Sequence, residues 1–222
     1  MYDLVRGPFV WVAFAIFIFG LIFQAFRFYA LTKRKDQVFL NLTPSPQKVP
    51  PKGFIEGVAN GLISLKRTVW GTHPRIMVVT AIFHFCLIVT PFFVLGHNIL
   101  LDESWGFGLI SLSEKTTDIL TLIVFICTAF FLYRRIFLAR VRAITSGYDY
   151  LILLITTAPF LTGYFAYHQW FEYPTVINLH ILAGEIILAT IPFTKLGHML
   201  FFFFYRFLIG NEYSFSQGTR TW

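Results

Sequence analysis

The chain has 222 residues, 56% of them hydrophobic and 13% charged, with 28 Phe and a mean hydropathy of +0.67. A soluble domain carries about twice that charged fraction, so the composition excludes one and predicts an all-α integral membrane protein in a lipid bilayer. The net charge of +7 is gathered in particular loops, as membrane topology requires, and calls for no nucleic acid.

The first predicted span covers 8–31, with Trp11 near one interface and Arg27 and Tyr29 near the other. It reads as a retained span rather than a signal peptide, because Asp3 is acidic and no small-residue cleavage site closes the run. Lys33, Arg34 and Lys35 mark the exit, and the Pro-rich TPSPQKVPPKG from Thr43 to Gly53 predicts an extended connection. Over 54–69 the residues Phe54, Ile55, Val58, Leu62 and Leu65 recur at helical spacing. That pattern predicts an amphipathic helix on the membrane surface, which would also serve as a docking face for a soluble partner.

The second span, 74–95, opens at Pro74, a favourable first-turn residue. An acidic connection with Asp102 and Glu103 leads to a third span over 116–133, which ends in Arg134, Arg135, Arg140 and Arg142. The fourth covers 148–167, with Pro159 as the expected site of a kink. The fifth covers 175–209 as one helical run, and a polar tail follows. Eight of the eighteen Lys and Arg lie from Lys33 to Arg75 and four more between the third and fourth spans. By the positive-inside rule this predicts a five-helix bundle with the N-terminus outside and the C-terminus in the cytoplasm. Cys86 and Cys127 fall inside apolar spans and no CxxC occurs, so neither a disulfide framework nor a c-type haem attachment is predicted.

The organising stretch is HILAGEIILATIPFTKLGH, His180 to His198. On one continuous helix these histidines would share a face, five whole turns and about 27 Å apart, close to the hydrocarbon thickness. Gly184, one turn after His180, would leave a shallow spot for a flat macrocycle. In the second span His73 and His84 are three turns plus about 20° apart and also share a face. Because the two spans run antiparallel, depth pairs His73 with His198 near the inner side and His84 with His180 further out. Each pair would give two axial imidazoles to one b-type haem, a six-coordinate arrangement suited to electron transfer. The depths differ by about 10 Å, which tilt must absorb.

A lone intramembrane histidine is commonly a helix–helix hydrogen-bonder. Four in two same-face pairs on antiparallel spans favour ligation instead. His97 and His168 lie at outer span ends, as ordinary interfacial residues or as the lining of a quinone pocket. Arg75, Lys195 or Arg206 would neutralise haem propionates, although snorkelling cations have the same signature. Glu185, a carboxylate inside the fifth span, is a candidate for proton handling or for a bond to a neighbouring helix.

The pattern LH-x3-G-x7-PFTKLGH, Leu179 to His198, resembles the last span of the gamma subunit of respiratory nitrate reductase. Relatives of that family sit in transmembrane redox complexes of sulfate-reducing bacteria and in membrane-bound heterodisulfide reductases. HFCLIVTP, His84 to Pro91, matches the second span, and the start MYDLVRGPFVWVAF is most like the sulfate-reducer members. The second-span histidines stand one residue further apart than is usual in the family. The resemblance covers essentially the whole chain and implies a dihaem cytochrome b with two haem b groups. It implies an inner haem on His73 and His198, an outer haem on His84 and His180, and a menaquinone site beside the outer haem for which Lys115 is a candidate contact. It also implies a cytoplasmic iron–sulfur subunit, other membrane subunits, a periplasmic multihaem cytochrome c, and residence in a bacterial or archaeal cytoplasmic membrane.

The expected function is therefore electron transfer across the membrane, between quinol or a periplasmic cytochrome and an iron–sulfur protein. Glu172, His97 and His168 are at the depth where protons of a quinol would be handled. The competing expectation is a haem-free anchor that tethers redox partners. A transporter is disfavoured, since charged residues in several spans and interrupted helices in repeated halves are both missing.

Overall fold

The computed structural model describes residues 2–39 and 73–198, and the predicted surface helix at 54–69 and the tail lie outside them. Helix α1 begins as Tyr2–Leu4, passes through a π-helical turn at Val5–Phe9 and continues as Val10–Phe39. Then follow α2 (Pro74–Phe93), α3 (Leu95–Trp105), α4 (Glu114–Phe137), α5 (Gly147–His168) and α6 (Tyr173–Thr190). No strand occurs among the described residues.

Five segments are long and apolar enough to cross a membrane: Tyr2–Leu31, Pro74–Phe93, Glu114–Phe137, Gly147–His168 and Tyr173–Phe193. Together they make the chain a multi-pass membrane protein. Each overlaps a predicted span. Large apolar side chains such as Trp11, Phe19, Phe26, Ile126 and Leu154 cover their outward faces, as surfaces solvated by lipid require.

Local chemistry sets the ends. Pro74 occupies the first turn of α2, where its missing N–H costs nothing, with His73 as the preceding cap residue. Ser113 caps α4 by accepting from the Thr116 N–H at 3.3 Å, while Arg134 and Arg135 lie in the last turn, where the helix dipole favours cations. Gly106, at φ 72°, closes α3 in the left-handed conformation that glycine adopts without strain.

The acidic connection after the second span is largely helical, as α3. Its remaining stretch is fastened by buried Asn98, which donates to Ser111 Oγ at 3.1 Å and accepts from the Leu109 N–H at 3.2 Å.

The described residues form two compact units: the residues up to Phe39 with those from Leu154 onward, and those between, up to Leu153. In the second of these, α2 packs on α4. Phe83, Cys86 and Thr90 make one buried stripe and Thr117, Thr121, Val124 and Cys127 the other. Spacings of three and four residues put each stripe on one helix face, and small side chains let the helices approach closely, as apolar packing in lipid requires. Thr121 satisfies its own hydroxyl on the Thr117 carbonyl at 2.8 Å.

In the other unit α6 packs on α1. Gly20 sits so close beneath Pro192 that a Cβ there would come within 2.7 Å of Pro192 Cβ. Beside it, Gln24 Nε2 donates to the Pro192 carbonyl at 2.8 Å.

One expectation is corrected here. The fifth span is not one α-helix through His198. It ends at Thr190 and continues as 3-10 turns at Ile191–Phe193 and Lys195–Gly197, with Thr194 extended between them. Pro192 has no N–H for the α-helical ladder, and Thr194 turns its Oγ1 to the Leu196 N–H at 3.2 Å, which starts the second turn. The five-whole-turn relation between His180 and His198 therefore does not hold. A 3-10 turn has a different pitch and phase from an α-helical one.

Candidate haem-ligand histidines

His84 lies on α2, half-buried, with Nδ1 donating to the Thr80 carbonyl one turn back at 2.7 Å. Phe83 meets its ring edge-on, with centroids 5.6 Å apart, and Phe131 of α4 stacks edge-on against Phe83 in turn. His73, at the mouth of the same helix, is exposed, and its carbonyl accepts the Met77 N–H at 3.2 Å. Arg75 beside it is exposed as well.

His180 projects from α6 onto α5. Its Nδ1 donates to the Pro159 carbonyl at 2.9 Å, with Thr162 Oγ1 3.3 Å from the same nitrogen. The ring lies over Gly163. His198 follows the second 3-10 turn and donates from Nδ1 to the Lys195 carbonyl at 2.7 Å.

A carbonyl can only accept. The three Nδ1 atoms of His84, His180 and His198 must therefore carry the proton, which puts each ring's lone pair on Nε2. Metal-ligating imidazoles are characteristically fixed in this way, by a second-shell acceptor that sets tautomer and orientation. His73 has no corresponding ring bond among the described residues.

His73 and His84 belong to one unit, His180 and His198 to the other. No group of three or more His, Cys, Asp and Glu that could hold a metal ion occurs among the described residues; a haem takes only two imidazoles. At Gly184 no atom of the described residues would lie within 4 Å of an added Cβ.

The remaining candidates fall in several places. His97 Nδ1 donates to the Pro91 carbonyl at 2.8 Å, tying α3 back to α2. His168 sits in an aromatic cluster with Tyr164, Tyr167 and Trp170. Glu172 caps the start of α6 and accepts from Thr175 Oγ1 at 2.9 Å. Lys115 and Lys195 are exposed, and Arg206 lies outside the described residues. Pro159, Thr162 and Gly163 escaped sequence reasoning as parts of the His180 site, although a glycine inside the fourth span was a visible signal of close approach.

No family model matches the chain, and no solved structure matches it. Across all of its 222 residues, and 97% of the relative, it is 32% identical to a protein of Nitratidesulfovibrio vulgaris whose name states no activity. Identity at that level over the full length of both proteins shows common descent, and the chain belongs to the family of this Nitratidesulfovibrio vulgaris protein.

Proposed function

We propose that the chain is a dihaem cytochrome b subunit of a respiratory complex in a bacterial cytoplasmic membrane. It carries electrons between menaquinol or a periplasmic cytochrome c outside and an iron–sulfur subunit inside. The observation that supports this best is the common tautomer of His84, His180 and His198, each with Nδ1 on a backbone carbonyl and its lone pair on Nε2. His97 makes the same kind of bond to the Pro91 carbonyl, so the support comes from this bond together with the placement of His84 and His180 inside membrane-spanning segments.

The residues present fit haem b. His84 and His180 would hold the outer group, and His73 and His198 the inner one. Gly184 leaves room for a flat ring beside α6, and Arg75 and Lys195 are exposed cations for propionates. Bound haem supplies reversible one-electron transfer, at a potential set by ligands and burial. The chain's own part is orientation and exclusion of water. The carbonyls of Thr80, Pro159 and Lys195 fix the rings and raise their basicity, and Phe83 shields the flank of His84. The cationic loops put the N-terminus outside and the C-terminus in the cytoplasm.

The test is a pyridine haemochrome assay on the purified chain, with reduced-minus-oxidised spectra. Two low-spin haems b per polypeptide are expected. One haem would remove the inner site, where His73 lacks an orienting bond, and none would leave a haem-free anchor for redox partners.

A further inference from the structure

The stripe of α1 that meets the break in the fifth span carries a cation. Gly20, Gln24, Arg27 and Leu31 follow one another at spacings of four, three and four residues, which keeps them within about 60° around the helix axis. Gly20 sits beneath Pro192, and Gln24 donates to the Pro192 carbonyl at 2.8 Å. The lipid-facing side is a different one, marked by exposed Phe19, Phe23 and Phe26. Arg27 is therefore not a cation snorkelling along the lipid face. It lines a recess of about 310 Å³ between α1 and the residues that follow α6. Phe28, Leu31, Pro192 and Phe193 supply apolar walls, and Gln24, Arg27 and Thr194 the polar ones.

These polar groups offer donors in excess. Arg27 has five N–H groups and makes no hydrogen bond or ion pair with a described residue. Thr194 Oγ1 accepts from the Leu196 N–H and keeps its own proton to give, and Gln24 has a second N–H. No carboxylate lines the recess, and Lys33, Arg34 and Lys35 follow in the sequence. A cation, or the ammonium of a zwitterion, finds no anionic partner here. An acceptor-rich anion does, and a guanidinium takes phosphate through two parallel bonds. Depth names the source of the phosphate. Arg27 lies about 16 Å from the midpoint of the span Tyr2–Leu31, where a hydrocarbon core of about 30 Å gives way to lipid headgroups. The recess is larger than a phosphate group needs, and its apolar walls suit glycerol carbons and the first methylenes of an acyl chain.

We propose that this recess binds the headgroup of one anionic glycerophospholipid. Its phosphate pairs with Arg27 and accepts from the Thr194 hydroxyl, and its chains pass Phe28 and Phe193 into the bilayer. The site needs neither haem nor a particular orientation of the spans, so it stands or falls independently of the dihaem reading.

The full-length chain in a neutral detergent is titrated with dioctanoyl phosphatidylglycerol and with dioctanoyl phosphatidylcholine, and bound lipid is counted by native mass spectrometry. One phosphatidylglycerol per chain is expected, held about tenfold more tightly than phosphatidylcholine. Arg27→Gln should weaken phosphatidylglycerol about tenfold, the worth of a hydrogen bond to a charged group, and Arg27→Lys, which keeps the charge without the fork, should fall between. Arg6→Gln removes the same charge from the other end of α1 and should change nothing. Equal affinity for the two lipids, a preference that survives Arg27→Gln, or a loss as large in Arg6→Gln would overturn the proposal. Glycerol phosphate, which has the headgroup without chains, should compete only weakly. Competition as strong as the lipid's would mark a site for soluble phosphate esters and overturn the lipid assignment. The wild-type comparison needs no variant to fold.

Discussion

His180 and Gly163 are in such close register that a Cβ on the glycine would stand 2.9 Å from imidazole Cε1 and 3.2 Å from Nδ1. The absent side chain is what lets the ring of α6 reach the Pro159 carbonyl of α5 at 2.9 Å. One glycine thus sets how the most specific histidine of the sequence is held.

Gly163→Ala should accordingly displace the ring and lengthen or break its bond to Pro159. Loss of an orienting partner of this kind weakens metal binding by about 10–100-fold. The expected result is partial loss of one haem per chain, with a shifted low-spin signal in the fraction that remains, at unchanged helix content by circular dichroism. Full haem with an unshifted signal would show that Gly163 does not position His180.

Gln24 and Gly20 make a second prediction, about the helix break. Gln24→Leu leaves the Pro192 carbonyl without its 2.8 Å donor, and Gly20→Ala drives a methyl into Pro192. The first should cost about 0.6–2 kcal/mol and the second about 1–3 kcal/mol. Because both act on Pro192, the double variant should fall short of their sum, which thermal unfolding in detergent would measure. Strict additivity would mean that the two contacts are independent.

The five spans were legible because the bilayer imposes a length and a composition that no soluble helix needs to meet. Their ends were legible where one residue decides them, as Pro74 does, or where Arg134 and Arg135 leave the apolar run. The path after Pro192 was not. Periodicity in a uniformly apolar stretch cannot separate an α-helix from 3-10 turns, and Thr194 became a turn-former only once Pro192 had broken the ladder. At the site, the histidines stood out as polar residues in lipid, whereas their carbonyl partners did not. Every residue has a carbonyl, and which one meets an imidazole depends on helix packing. Gln24 was a polar residue in an apolar span and could have been singled out; its partner, 168 positions away, could not.

Asn98 carries a third prediction. It is 4% exposed and holds the segment after α3 through Ser111 and the Leu109 N–H. Asn98→Ala strands those groups and should cost about 1–3 kcal/mol. Asn98→Asp keeps the acceptor for Leu109 and can take the Ser111 hydroxyl as a donor, but it buries a carboxylate, so it should be destabilising as well. The change should be local, with faster protease cleavage and amide exchange at 106–112 and haem content unaltered. Destabilisation spread evenly over the chain would contradict this role.

Pairing of the histidines is open to a test that needs no further structure. If His84 and His180 serve one haem, His84→Ala, His180→Ala and the double variant should each retain one haem b per chain, because removing the second ligand of a lost haem costs nothing more. His84→Ala combined with His198→Ala should retain none, since each substitution then empties a different site. His97→Ala should keep both haems, its bond to the Pro91 carbonyl serving the α2–α3 corner. Haemochrome counts on folded, purified variants give the answer directly. A His84→Ala, His180→Ala protein without haem would assign those two residues to different haems, and single variants that retain both would remove them as ligands.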